Sequence, residues 1–80
     1  MLNRHIGKAI IDVALFLESS DEDLVDPDAA VQAMERLGFE LQLMSESERL
    51  ELARCFHDVA EEYGEKEAFV RELAINLGLT

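Results

Sequence analysis

Cys55 and His57 come nearest to a nucleophile and a base in this chain. Thiol–imidazole chemistry needs the two groups within hydrogen-bond reach. Two residues apart on a helix, however, they point about 200° from one another and cannot share a proton. Cys55 is therefore expected to line the edge of a core. His57, one turn before Glu61, is expected to make a surface ion pair worth about 0–1 kcal/mol. Metal chemistry finds no better footing. A di-iron bundle would carry Glu three residues before His, yet Leu2 and Arg54 stand there. A calcium loop opening at Asp21 would need Gly at its sixth position and Glu at its twelfth, where the chain has Asp26 and Gln32. There is no Gly-rich phosphate loop, no GxSxG and no HExxH. The expectation is a protein that is not an enzyme, with no metal and no cofactor.

The informative side chains are the carboxylates. The 80 residues include 18 Asp or Glu against 7 Lys or Arg, a formal net charge of −11. Residues 18–28 hold six acids and no base; residues 55–67 hold five acids and one lysine. Ten of the eleven excess charges thus fall in two short windows. Such concentration costs stability through self-repulsion, and two accounts compete for it. Solvated loops and helix caps are one. An electronegative surface that meets a basic protein partner is the other, because complementary charge raises association rates and enforces specificity. On the second account Asp21, Glu22, Asp23 and Asp26 would contact the partner, with Glu61, Glu62 and Glu65 as a second patch. Nucleic acid is an unsuitable partner, since phosphate binding needs clustered Lys and Arg.

Four helical signals would position these residues. Asn3 is a suitable N-cap for a first helix to about Glu18, with Ile6, Ile10, Val13 and Leu17 stepping by 4, 3 and 4. Asp26-Pro27-Asp28 is N-cap, first-turn proline and dipole-compensating acid in succession. Behind it Ala30, Met34, Leu37, Leu41 and Met44 form a seam of alternating 4 and 3 spacing. Phe39 to Leu43 also alternates with period two, so a strand after Gly38 is the alternative. The seam continues in phase across Gly38 and favours helix. Ser45 with Glu48 has capping-box spacing, and Leu52, Phe56, Val59 and Tyr63 carry the third stripe to Gly64, a natural C′ residue. Phe69, Leu73 and Leu77 mark a fourth helix closed by Gly78.

The fold expected is therefore all-α: residues 1–80 as a single domain of four short amphipathic helices in a compact antiparallel bundle. In an up-down bundle the first-to-second and third-to-fourth connections share an end, which would gather both acidic windows at one pole. A core this small also leaves open a homodimer through the first helix, whose Ile6, Ile10, Ile11, Val13, Phe16 and Leu17 make a wide apolar surface. The longest nearly uninterrupted apolar stretch, residues 9–17, contains Asp12 and is far short of the roughly 20 residues of a membrane span. The residues after it are no cleavage site, and a lone cysteine signals no oxidising compartment. A cytoplasmic location with no membrane partner is the expectation.

Val25-Asp26-Pro27-Asp28-Ala29-Ala30-Val31, leading into Leu41-Gln42 and Ser45-Glu46-Ser47-Glu48-Arg49, resembles segments of small bacterial helical proteins. In size, acidity and helicity the whole chain resembles the immunity proteins that neutralise secreted bacterial toxins. That resemblance implies inhibition of a cognate, basic toxin by acidic helices, and carries over no individual functional residue. The competing function is a self-associating structural or regulatory module whose acidity serves solubility alone.

Overall fold

A computed structural model describes residues 3–19 and 23–80, and every described element is helical. Helix α1 spans Arg4–Ser19, α2 Pro27–Gln42, α3 Glu46–Val59 and α4 Glu67–Asn76. A 3-10 turn, Ala60–Lys66, joins α3 to α4 without a loop. The chain therefore makes three helical runs, the last one bent, where four separated helices were expected. Gly64 causes the difference. Its φ of 52° is positive as expected, but its ψ of −118° lies outside the left-handed helical region. The chain is deflected there and resumes as helix, instead of ending in an αL cap.

The remaining boundaries follow local chemistry. Asn3 Oδ1 accepts the His5 N–H at 2.7 Å at the start of α1. Asp26 caps α2 by accepting the Ala29 N–H at 2.9 Å, with Pro27 at the first position. Ser45 and Glu48 complete a reciprocal capping box, which draws the Glu48 carboxyl below its ordinary range. Arg49 returns to donate to the Met44 carbonyl at 2.9 Å, covering a carbonyl just past the end of α2. At the close of α4, Gly78 N–H reaches Ile75 O at 3.0 Å and Leu79 N–H reaches Ala74 O at 2.8 Å. That pair of bonds is a Schellman motif, with Gly78 at φ 77° and Leu79 folded back into the core. Helix α2 runs unbroken through Gly38, so the strand alternative is excluded. A side chain at Gly38 would press within 3.1 Å of the Leu77 carbonyl, a close approach that only glycine leaves unstrained.

The core lies among α1, α3 and α4: Ile11, Leu52, Phe56, Val70 and Leu73 are its largest fully buried side chains. Helix α2 sits at the rim. Only Ala30 and Gly38 of α2 are buried, while Met34, Leu37 and Leu41 of its seam are half-buried. The molecule is a slab of 38 × 28 × 18 Å. Its short dimension is less than two helix diameters of about 10–12 Å, so few helices can be covered on both sides.

Helices α1 and α2 are antiparallel: Leu17 and Ala30 share one groove wall, and Ile6 and Leu41 another. Helix α3 does not continue the up-down pattern. Leu52 lies by Ile6 and Ile10, the Cys55 thiol lies 4.0 Å from the Arg4 carbonyl, and Glu62 meets Arg4 and Lys8. Ten residues of advance along the third run produce no matching advance along α1, so α3 crosses α1 steeply instead of running beside it.

Candidate functional site

The two acidic windows are separate surfaces, which corrects the expectation of a shared pole. Glu62 is fixed at the beginning of α1, whereas the first window starts at Glu18 near the end of α1. Lys8 and Glu18 are ten residues apart on one helix, about 15 Å. At physiological ionic strength the Debye length is about 8 Å, so the windows act on a partner almost independently. The steep crossing of α3 is the physical reason: it returns the third-to-fourth turn to the start of α1.

Of the first window, Asp21 and Glu22 lie outside the described residues. Asp23, Asp26 and Asp28 are exposed, as is Glu18. Asp26 is the cap of α2, with one carboxylate oxygen on Ala29. Asp28 lies in the first turn of the same helix, where the dipole favours a negative charge. Among the described residues Glu18, Asp28 and Glu35, farther along α2, carry no ion pair. Capping thus accounts for Asp26 and Asp28, but nothing in the fold uses Glu18 or Glu35. Glu35 escaped the sequence reading because it falls outside both charge windows.

The second window is partly consumed by the fold. Glu62 accepts from Lys8 at 2.8 Å through one oxygen and from Arg4 through the other. Lys8 first, then Arg4, hold its carboxyl below the ordinary range. Just outside the 3-10 turn, Glu67 is paired with Arg71 at 2.8 Å. Glu61 and Glu65 are exposed and, among the described residues, have no ion pair, so of the three second-patch candidates Glu62 is the one already engaged. Next to it the Tyr63 hydroxyl donates to Asp12 at 3.0 Å. Burial, the bond to Asp12 and the charges of Asp12 and Glu62 push the Tyr63 hydroxyl up to about 12. This packed corner is a structural clasp.

Cys55 sits against Gly7, where an added Cβ would stand 2.4 Å from its sulfur. Burial, then the charge of Asp58, push the thiol up, which makes thiolate chemistry less accessible. His57 does not pair with Glu61. The Arg71 guanidinium occupies it instead, with Nη1 at 3.1 and 3.2 Å from the two ring nitrogens and 3.4 Å from the His57 carbonyl. Arg71 comes from one turn beyond Glu67, a contact that only the bend at Gly64 brings about and that local spacing could not reveal. Among the described residues no three His, Cys, Asp or Glu side chains converge on a metal-sized site, and no buried side chain is charged or polar. No described helix is long and apolar enough to cross a membrane. Comparison of the chain with protein-family models, curated proteins and solved structures finds no match in any of the three.

Proposed function

We propose that this is a non-enzymatic protein-binding module whose surface around the α1–α2 connection receives a basic protein partner. The observation that carries this reading is the contrast between Glu62 and the acids that flank the α1–α2 pair. Glu62 is paired with Arg4 and Lys8, whereas, among the described residues, Glu18 and Glu35 stand exposed with no ion pair. Uncompensated like charge is unfavourable for the isolated protein, and a cationic partner removes the repulsion on binding. Asp23 and Asp26 belong to the same contact surface, with Asp21 and Glu22 between α1 and Asp23 in sequence; Glu61 and Glu65 form a minor second patch. Inhibition of a basic toxin inside the cytoplasm of a bacterial producer is the specific form of this function that the immunity-protein resemblance implies.

The test is affinity capture from the native host at low salt, with wild type and a Glu18→Gln/Asp23→Asn/Asp28→Asn variant in parallel. The expected result is a Lys- and Arg-rich protein retained by wild type, released by salt and lost by the variant. Equal recovery of the same proteins by both baits contradicts the reading.

A second reading has its own observation. Ile6, Val13 and Phe16 are each more than half exposed on α1, and exposed Ala9 lies between them. Steps of 3, 4 and 3 place all four on one uncharged stripe, suited to a homodimer through the first helix. Sedimentation of wild type and Phe16→Glu separates the cases: a dimer that the substitution dissociates supports self-association.

A further inference from the structure

The uncompensated acids border an apolar groove. Leu17 at the end of α1, Val25 in the connection, Ala30, Val31 and Met34 of α2, and Phe69 of α4 line a space of about 450 Å³. Glu18 and Glu35 belong to the same wall, and among the described lining residues Asn76 is the only other polar one and none is Lys or Arg. The groove exists because α2 is only half sunk: Met34 is half-buried, and Val31, one turn before Glu35, is 56% exposed. Leu24, next to the lining residue Val25, is 73% exposed. Pro27, Ala30, Val31, Met34 and Glu35 repeat at helical spacing along about 12 Å of α2, so the wall is two turns long.

The geometry points to an amphipathic basic helix of a partner protein as the occupant of this groove. This rests on the proposed binding of a basic partner and specifies its form. An apolar floor answers side chains spaced i, i+3, i+4 and i+7, and acidic borders answer Lys or Arg on the flanks of the same helix. The volume admits anchoring side chains but not a whole helix, whose diameter is about 10–12 Å, so the partner lies across the opening. A second copy of this chain is the wrong occupant by charge. With a net charge of −11, each copy would present acidic borders to a surface that is itself acidic.

The test uses a helix-forming peptide of leucine and lysine, with leucines at i, i+3, i+4 and i+7, and an isomer of the same composition whose leucines are out of register. Calorimetry follows both with wild type, Val31→Glu, Val31→Thr and Glu18→Gln/Glu35→Gln. The in-register peptide should bind wild type at least about tenfold more tightly than its isomer, the worth of one aliphatic side chain withdrawn from water. Val31→Glu is the discriminating variant, because it adds negative charge while removing apolar surface. Weaker binding of the in-register peptide by Val31→Glu, and to a lesser degree by the near-isosteric Val31→Thr, supports the groove.

If both peptides bind alike and Val31→Glu tightens both, the groove inference is overturned while the acidic-surface reading survives. If binding instead ignores both salt and the Glu18→Gln/Glu35→Gln change, the acidic-surface reading falls with it. Absence of binding by the in-register peptide overturns the inference outright.

Discussion

Lys8 and Glu62 meet at 2.8 Å across 54 residues of chain, tying the first turns of α1 to the bend between α3 and α4. Arg4 holds the other carboxylate oxygen. The contact assigns one apparent member of the acidic surface to the fold, and it makes a statement about pH. Because the folded carboxyl is lowered from 4.5, its contribution is fully present above that value and is lost as pH falls through the folded value. Urea unfolding should show Glu62→Gln less stable than wild type at pH 7, with the two curves converging in acid once the folded carboxyl is protonated. A gap that persists unchanged in acid would contradict the ion-pair account.

Tyr63 offers a spectroscopic check on the same corner, since it is the only tyrosine. Its hydroxyl should ionise at about 12 in the folded protein, and Asp12→Asn should lower the transition only in part, since burial is the larger cause, followed by absorbance of the phenolate. The stability tied to this proton is complete below pH 10 and declines as pH rises through the folded value, opposite in direction to Glu62.

Gly7 and Cys55 should be strongly coupled. Gly7→Ala places a methyl group against the Cys55 sulfur, an overpacking worth about 1–3 kcal/mol of destabilisation. With Cys55→Ala already present that obstacle is gone, and Gly7→Ala should instead stabilise α1 by roughly 0.5–1 kcal/mol through helix propensity. A double-mutant cycle measured by denaturant unfolding reads this change of sign.

The closing turn of α4 should matter more than its terminal position suggests. Leu79 is 3% exposed, so Leu79→Ala should cost about 2–5 kcal/mol. Gly78→Ala should cost about 1–2 kcal/mol for the positive φ alone, before its encounter with the Gln42 amide. Thermal unfolding of the two variants tests both values.

These contacts also show where local sequence stops being informative. Asp26-Pro27-Asp28 and Ser45 with Glu48 were legible because a cap is made by residues within four positions of each other. The stripe Leu52, Phe56 and Val59 was legible because burial follows helical period. On α1 the period misled: the buried line is Gly7, Ile11 and Ala14, and Ile6 and Val13 of the expected stripe are exposed. Choosing among the apolar faces of such a helix requires the crossing of α3, which the Gly7–Cys55 approach permits. The bend at Gly64 was equally hidden, since a positive φ suits both an ending and a turn. From that bend follow the Lys8–Glu62 contact, the separation of the acidic windows and the Arg71–His57 contact. The charge windows themselves could be counted from sequence, but which carboxylates the fold consumes could not.

The central claim is that the surface between Glu18 and Glu35, and not the corner around Glu62, is where a cationic partner is received. Its most direct test is a residue-by-residue amide titration with a short polylysine peptide at low ionic strength. The account predicts saturable shifts concentrated at Glu18 and from Asp23 to Glu35, abolished by moderate salt, with little change at Glu62 and Tyr63. Shifts centred on residues 58–65, or spread evenly over every acidic residue, would contradict it.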